Sequence, residues 1–337
     1  MVGLHSSLRG KRILVTGGAG FIGSRLVSAL LAQEASVVVL ADEACNIFRI
    51  EPLLKEPALH LVRCRWWERT DLDAGRREIG EIDLLAHLGL NVPPADGFQK
   101  QARLEIRLNL VPTLDLLDAI GGGTISGVCF ASSMSVYGRP SRLPLRESDI
   151  PNPVTTYGAS KLAIEDFLQA YGCSNGVPVT VLRYSTVYGP GELGHRAVPN
   201  FVRAVSEGRA PTINGDGAER RDYVYVDDVV EATVGALAVR PNRVLNIGSG
   251  AAYRTTEIAM EVIRLYSSNV EPVFLPRVGE NIDVTCDIST ARDELGYRPR
   301  VPISEGIKRE IEWYEREARM KYPALLGDKG GQRNAAS

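Results

Sequence analysis

A phenol and an ammonium stand four residues apart in Thr155-Thr156-Tyr157-Gly158-Ala159-Ser160-Lys161. The run that follows, Leu162-Ala163-Ile164-Glu165-Asp166-Phe167-Leu168, has apolar residues at helical spacing. Positions i and i+4 of a helix share a face, so Tyr157 and Lys161 are expected to point the same way. A cation so placed favours the phenolate and is expected to pull the phenol below its ordinary value of about 10. A tyrosine tuned in that way can accept an alcohol proton as hydride leaves the same carbon. The spacing alone also suits an ordinary surface helix. Chemistry gains weight from a glycine-rich loop far upstream and a serine-rich strand end between the two.

The glycine-rich loop is Thr16-Gly17-Gly18-Ala19-Gly20-Phe21-Ile22-Gly23, between a short apolar strand at Arg12–Thr16 and an apolar-striped helix from Phe21 to Leu31. Glycines here let the backbone turn sharply and approach a pyrophosphate, whose charge is favoured at a helix N-terminus. A second strand, Ser36-Val37-Val38-Val39-Leu40, leads into Ala41-Asp42-Glu43. Asp42 is the candidate to accept hydrogen bonds from adenosine ribose hydroxyls and to disfavour a 2′-phosphate, so NAD is expected over NADP. Phe130-Ala131-Ser132-Ser133-Met134-Ser135-Val136-Tyr137-Gly138 follows another apolar strand, and its hydroxyls would lie where open parallel sheets bind ligands. No histidine accompanies these serines in a nucleophile-elbow setting, which leaves serine-hydrolase chemistry unsupported.

The elements that must position these groups alternate. Strands are expected at Leu59–Cys64, Ile82–His87, Ile125–Ala131 and Val177–Leu182, with helical patterns between them, which means an α/β fold with a parallel sheet wrapped by helices. Pro112 is expected to kink or divide the helical stretch from Gln99 to Ile120. His87, at a strand end, reads as structural. Beyond Arg183-Tyr184-Ser185-Thr186-Val187-Tyr188-Gly189-Pro190-Gly191 the alternation fails and a smaller lobe begins. In that lobe a turn at Asn214-Gly215-Asp216-Gly217 leads to Arg220-Arg221-Asp222-Tyr223-Val224-Tyr225-Val226-Asp227-Asp228, a strand opening a helix with Asp at its N-cap. Arg221, and Arg277 in Arg277-Val278-Gly279-Glu280, could clamp a diphosphate through forked hydrogen bonds, or could be solvated surface charge.

The 337 residues suffice for one large domain or two packed lobes. With 39 basic against 41 acidic residues, nothing argues for bulk nucleic-acid or anionic-membrane binding. Five scattered cysteines (Cys45, Cys64, Cys129, Cys173, Cys286) show no metal-ligand spacing and suggest reduced thiols in a cytoplasmic protein. No apolar run reaches membrane-spanning length, and residues 1–10 lack a signal-peptide core. The polar, glycine-rich residues 321–337 are expected to be a disordered tail.

As an ordered set these motifs resemble the extended short-chain dehydrogenases/reductases, in the NAD-dependent epimerase/dehydratase family that includes UDP-galactose 4-epimerase. The resemblance covers roughly Lys11 to Trp313 and extends to Leu182-Arg183-Tyr184, Val187-Tyr188-Gly189-Pro190-Gly191 and Leu295-Gly296-Tyr297-Arg298-Pro299. It implies a Rossmann-type doubly wound parallel sheet with a smaller mixed α/β C-terminal substrate domain. Residues 1–182 would form the cofactor domain, with return segments near 223–247, and residues 183–320 mainly the substrate domain. It implies Ser133, Tyr157 and Lys161 as the catalytic set. Cofactor contacts are implied at Gly17, Gly20, Phe21, Ile22, Gly23, Asp42, Leu88, Asn109, Tyr157 and Lys161. Contacts to a nucleotide diphosphate sugar are implied at Ser133, Ser135, Thr186, Val198, Arg221, Arg277 and Glu280. No metal is implied, and a homodimer through two helices per subunit is.

Several positions depart from the family pattern. Asp usually stands where Ala41 is, an Asp where Arg65 is, and an Asn where Thr186 is. The family's His-x-Ala-Ala reads His87-Leu88-Gly89-Leu90, and Trp66 and Trp67 could cover an adenine or serve the core. Related sugar 4,6-dehydratases carry Asp-Glu directly after the catalytic Ser/Thr, where this chain has Met134 and Ser135, so dehydration by that route is not expected. The leading expectation is an NAD-dependent epimerase acting at C4 of a nucleotide sugar. The alternative is an NAD(P)-dependent nucleotide-sugar ketoreductase or dehydrogenase. A nucleotide-binding protein without turnover is a third reading, opposed by the intact Ser133, Tyr157 and Lys161.

Overall fold

The computed structural model of the protein describes residues 8–91, 97–120, 125–194, 196–277 and 281–321. Glu280, expected at the substrate, and the expected tail from 322 onward lie outside the described residues.

Six strands build most of one sheet: β1 Arg12–Thr16, β2 Ser36–Ala41, β3 Leu59–Arg63, β4 Leu84–His87, β5 Val128–Ser133 and β6 Val179–Tyr184. A seventh, β10 Val244–Ile247, joins them after three short strands, β7 Thr186–Tyr188, β8 Thr212–Asn214 and β9 Arg220–Tyr225. The order is β10-β6-β5-β4-β1-β2-β3 and every pairing is parallel. Near-continuous apolar strands such as Ser36-Val-Val-Val-Leu-Ala41 are what a sheet covered on both faces requires. Side chains alternate accordingly. Ile13, Val15, Val37 and Val39 join a core with Leu26, Val27 and Leu30 of α1 (Phe21–Ala32). Leu14, Val38 and Leu85 join a second core. There they meet Leu72 of α2 (Arg69–Ile79), and, beyond α3 (Phe98–Glu105), Leu116 of α4 (Val111–Ile120) and Ile164 and Leu168 of α5 (Thr156–Asn175).

The expected break at Pro112 is a wide π turn over Ile106–Leu110, between α3 and α4. Proline has no N–H to give the carbonyl four residues back. That carbonyl, Leu108 O, instead accepts from Asn91 Nδ2 at 3.0 Å.

In the second half, β9 pairs in parallel with β7 and antiparallel with β11 (Ala252–Arg254), and β8 pairs with β12 (Val273–Leu275). α6 (Ala197–Ser206), α7 (Val226–Val239), α8 (Thr255–Leu265), α9 (Ser289–Leu295) and α10 (Ile303–Trp313) complete the chain's main helices. The chain is thus α/β, a seven-stranded parallel Rossmann-like sheet with a smaller mixed region after it. α7 does not take an Asp N-cap: it is capped at Tyr225, and Asp227 and Asp228 fall in its first turn. Carboxylates there still complement the positive helix end. Asp222 on β9 is fully buried, and its carboxylate accepts from Ser249 N at 2.7 Å, Gly250 N at 3.0 Å and Cys286 N at 3.2 Å. Those bonds fasten the short sheet to the end of β10. Among the described residues no helix is long and apolar enough to cross a membrane.

Candidate active site

The glycine-rich loop is built for close approach. Gly17 has φ +68°, and a Cβ on it would lie 2.8 Å from Gly89 N. A Cβ on Gly23 would come within 2.0 Å of Gly17 O, so only glycine lets α1 press against the end of β1. Gly20 is the N-cap of α1 and offers no side chain to its first-turn N–H groups. The result is a cradle of bare backbone at the N-terminus of α1, of the kind that favours anions. Phe21 and Ile22 flank it half-buried, and Leu88, the first residue after β4, donates its N–H to Thr16 O.

A buried chain of hydrogen bonds holds that cradle. Gly89 N–H donates to Thr16 Oγ1 at 2.9 Å, and Thr16 Oγ1 lies 2.7 Å from His87 Nδ1. On the other side His87 Nε2 is 3.0 Å from Thr113 Oγ1, which donates to Asn109 O. With Thr113 already donating, the ring must give its Nε2 proton and accept at Nδ1. His87 is fully buried, and desolvation pushes it down to about 3, so it is a neutral structural residue. Trp66 packs edge-on against it at 5.3 Å and is itself buried. Trp66 therefore serves the core. Asn109 is wholly buried: Oδ1 accepts from Asn91 N at 2.7 Å, and Nδ2 donates to Asn91 O at 2.8 Å and to Glu105 Oε2 at 2.7 Å. It clamps the loop after β4.

β2 runs one residue further than expected, to Ala41, which makes Asp42 the first residue beyond the strand. Its Oδ1 accepts from Ala44 N at 2.6 Å, and Arg63 Nη1 donates to its carbonyl at 2.8 Å.

At the end of β5, Ser133 caps a 3₁₀ turn over Met134–Tyr137 and accepts from Ser135 N at 3.2 Å. Helix α5 starts beside it, with Thr155 Oγ1 accepting from Gly158 N at 3.0 Å. A Cβ on Gly158 would lie 2.5 Å from Ser135 O, so glycine allows the first turn of α5 to rest on the 3₁₀ turn. This contact sets the Ser133 hydroxyl beside the Tyr157 phenol, where it opposes the upward shift of that phenol. Ser135 Oγ is buried without a protein partner.

Tyr157 and Lys161 share a face, with Lys161 Nζ 5.9 Å from the Tyr157 ring centre. The expected lowering of the phenol is absent. Burial raises Tyr157 above its ordinary value, against the charge of Arg196 and the neighbouring Ser133 hydroxyl, and the charge of buried Glu105 adds to the rise. The reason is where Lys161 points. Its buried Nζ donates to Ala131 O at 2.6 Å and lies 4.7 Å over the Phe130 ring. Desolvation pushes Lys161 itself down to about 8, with Glu165 and Glu105 opposing. Behind it Glu165 takes a buried ion pair from Arg183, Nη2 to Oε2 at 2.6 Å, and the Ser132 hydroxyl. Arg183 in turn stacks over Tyr137 at 4.7 Å.

The other expected substrate residues come from the second half. Thr186 opens β7 half-buried, Val198 is buried in the first turn of α6, Arg221 lies on β9, and Arg277 follows β12. Arg221 and Arg277 meet at one carboxylate, Glu219. Arg196 and Glu192, for which the sequence alone gives no expectation, pair at 3.4 Å, and the charge of Arg196 reaches Tyr157. Burial pushes Glu192 up to about 7. Arg49 Nη2 donates to Gly191 O and Arg25 Nη2 to Pro190 O, both at 2.8 Å, which straps this loop to the α1 side of the cleft. No local spacing announces the two long-range arginine contacts, whereas Glu192 and Arg196 stand only four residues apart. Among the described residues no cluster of metal-ligating side chains occurs.

With this geometry established, comparison with known proteins finds a profile described as the NAD dependent epimerase/dehydratase family matching residues 13–248. The UDP-glucose 4-epimerase of Mycolicibacterium smegmatis is 33% identical over 328 residues, covering 91% of this chain and 99% of the relative. The dTDP-D-glucose 4,6-dehydratase of Mus musculus is 27% identical, covering 91% of this chain and 89% of the relative. Among solved structures, the UDP-glucuronic acid 4-epimerase of Bacillus cereus, in complex with UDP-glucuronic acid and NAD, superposes with a TM-score of 0.81 at 31% identity, covering 90% of this chain and 99% of that one.

The state of Lys161 has a thermodynamic consequence. Its folded value near 8 lies below the roughly 10.4 of an unfolded lysine, so between them the unfolded chain holds a proton the folded chain has shed. Stability from this residue must therefore rise as pH increases from about 8 to about 10.4. Urea unfolding of wild type minus Lys161→Met across that range is expected to show this upward slope, and a flat difference would contradict it.

Proposed function

This chain belongs to the NAD-dependent epimerase/dehydratase family, and on that premise we propose that it epimerises a nucleotide diphosphate sugar at C4 through a transient 4-keto sugar. The observation that carries the reading is Ser133 beside the Tyr157 phenol, with Lys161 on the same face of α5 as Tyr157. Residues 1–182, with the β10 return, are read as the cofactor half and residues 183–320 as mainly the sugar-nucleotide half. Gly17, Gly20 and Gly23, with the N-terminus of α1, would hold the cofactor diphosphate, and Asp42 the adenosine ribose. NAD, when bound, supplies the acceptor and donor of hydride. Tyr157 takes the C4 hydroxyl proton and later returns it, while Ser133 keeps a hydrogen bond to that oxygen as it becomes a carbonyl and then an alcohol again. Lys161, anchored to the Ala131 carbonyl, fixes the floor under the tyrosine. Arg221 and Arg277 would grip the substrate diphosphate.

Dehydration is disfavoured because Met134 and Ser135 follow Ser133: a buried thioether and a hydroxyl offer no carboxylate acid and base. A ketoreductase using NAD(P) is the second reading. It draws on Asp42, whose carboxylate is bonded to Ala44 N, with Arg63 at its carbonyl. Tight NADPH binding by cofactor-free protein would favour it.

Incubation with UDP-, GDP- or dTDP-sugars is expected to yield stereoisomers with no net NADH, and Tyr157→Phe to lower kcat by about 100- to 10,000-fold. Stoichiometric cofactor consumption with every active substrate would overturn the epimerase reading.

A homodimer is part of the same proposal. Ile106, Val111 and Leu114 on the α3–α4 stretch and Phe167 on α5 are 52%, 46%, 37% and 47% exposed, an apolar face that a second copy would cover. Sedimentation is expected to give a dimer for wild type and a monomer for Val111→Asp; a wild-type monomer would refute it.

A further inference from the structure

The two arginines read above as the diphosphate grip are held together by a carboxylate of the protein itself. Glu219 Oε1 accepts from Arg221 Nε at 2.5 Å, while Glu219 Oε2 faces Arg277 Nη1 at 3.6 Å. Arg277 Nη2 also reaches Asp216 Oδ1 at 2.7 Å. The arrangement is built rather than incidental. Arg221 lies beside Asp222, whose four accepted hydrogen bonds lock β9 in place. The Arg277 guanidinium lies flat on Gly215, where a Cβ would stand 2.7 Å from its Cζ. Any other residue at 215 would displace it. Arg277 also lines an open groove of about 850 Å³ between the Arg139–Leu143 and Asn281–Asp283 segments.

Two cations and two carboxylates leave this clamp neutral as it stands. Asp216 is 70% exposed, so water screens it, whereas the Glu219 side chain is only 18% exposed. Glu219 is therefore the charge a diphosphate must displace. We propose that Glu219 is a built-in competitor for the substrate diphosphate, a positioning residue that gathers Arg221 and Arg277 in the ligand-free protein and weakens nucleotide binding so that product can leave. This rests on the reading of the two arginines as the diphosphate grip. Glu219 needs no part in proton or hydride movement for this role. Its effect belongs in binding and KM and leaves the chemical step alone.

The test measures UDP binding by calorimetry, with the full chain, for wild type, Glu219→Gln, Asp216→Asn, Arg221→Ala and Arg277→Ala. Removing one negative charge a few ångströms from a partly buried diphosphate is expected to tighten UDP binding in Glu219→Gln roughly ten-fold or more. KM for the nucleotide sugar should fall in parallel without a rise in kcat, and Asp216→Asn should have a smaller effect. Unchanged or weaker UDP binding in Glu219→Gln, alongside lost binding in the arginine variants, overturns the competitor role and leaves the diphosphate grip standing. Wild-type UDP binding in both arginine variants overturns the grip itself, and this inference with it. Thermal unfolding of each variant near the wild-type Tm ensures that binding, not folding, is compared.

Discussion

A lysine ammonium held out of water at the end of β5 is the constraint on which the rest depends. Taking a cation into a protein interior is expensive unless dipoles and opposite charges surround it. Lys161 has the Ala131 carbonyl at 2.6 Å, the Phe130 face, and the negative charges of Glu165 and Glu105. Glu165 can stand there because Arg183 pairs with it. These partners lie on β5, α3 and α5, and Arg183 on β6, so all four elements must be in place before the site is.

The same burial sets the chemistry of Tyr157. In water, a lysine one helical turn away would tip the phenol toward ionisation. Here the phenol is desolvated more strongly than the nearby positive charge can offset, and the ligand-free cleft keeps its proton on oxygen. The cleft is thus poised as a protonated tyrosine over a lysine whose own proton is loosely held. On the proposed epimerase reading, a positively charged ring bound beside the pair would favour the phenolate and would couple proton transfer to cofactor occupancy. The parallel sheet explains why these groups meet: Ser133 ends β5, Leu88 follows β4, and Gly17 follows β1, all at the carboxyl edge where such sheets bind ligands.

Much of this was legible in the chain because the relevant patterns are local. Buried parallel strands read as apolar runs, glycines mark the β1–α1 turn, and a four-residue spacing puts Tyr157 and Lys161 on one face. What the sequence left hidden is long-range. The spacing says that Lys161 lies near Tyr157, but not that its ammonium turns to a carbonyl thirty residues away. Glu165 looked like one charge on an amphipathic helix until Arg183 and Ser132 closed on it from neighbouring strands. Glu219 lay between two arginines noticed for themselves, and only the fold of β9 against β12's end shows that it joins them. At Pro112 the missing N–H was readable, while the partner that relieves it, Asn91, was not.

The account is tested most directly by titrating the Tyr157 phenol. Ultraviolet difference spectra of wild type minus Tyr157→Phe, on protein freed of nucleotide and again with saturating NAD, would follow tyrosinate formation at this one residue. The expected result is ionisation above the ordinary tyrosine value in the nucleotide-free protein and a clear fall when NAD is present. Ionisation at or below the ordinary value without NAD would contradict the claim that burial, not the neighbouring lysine, governs this oxygen.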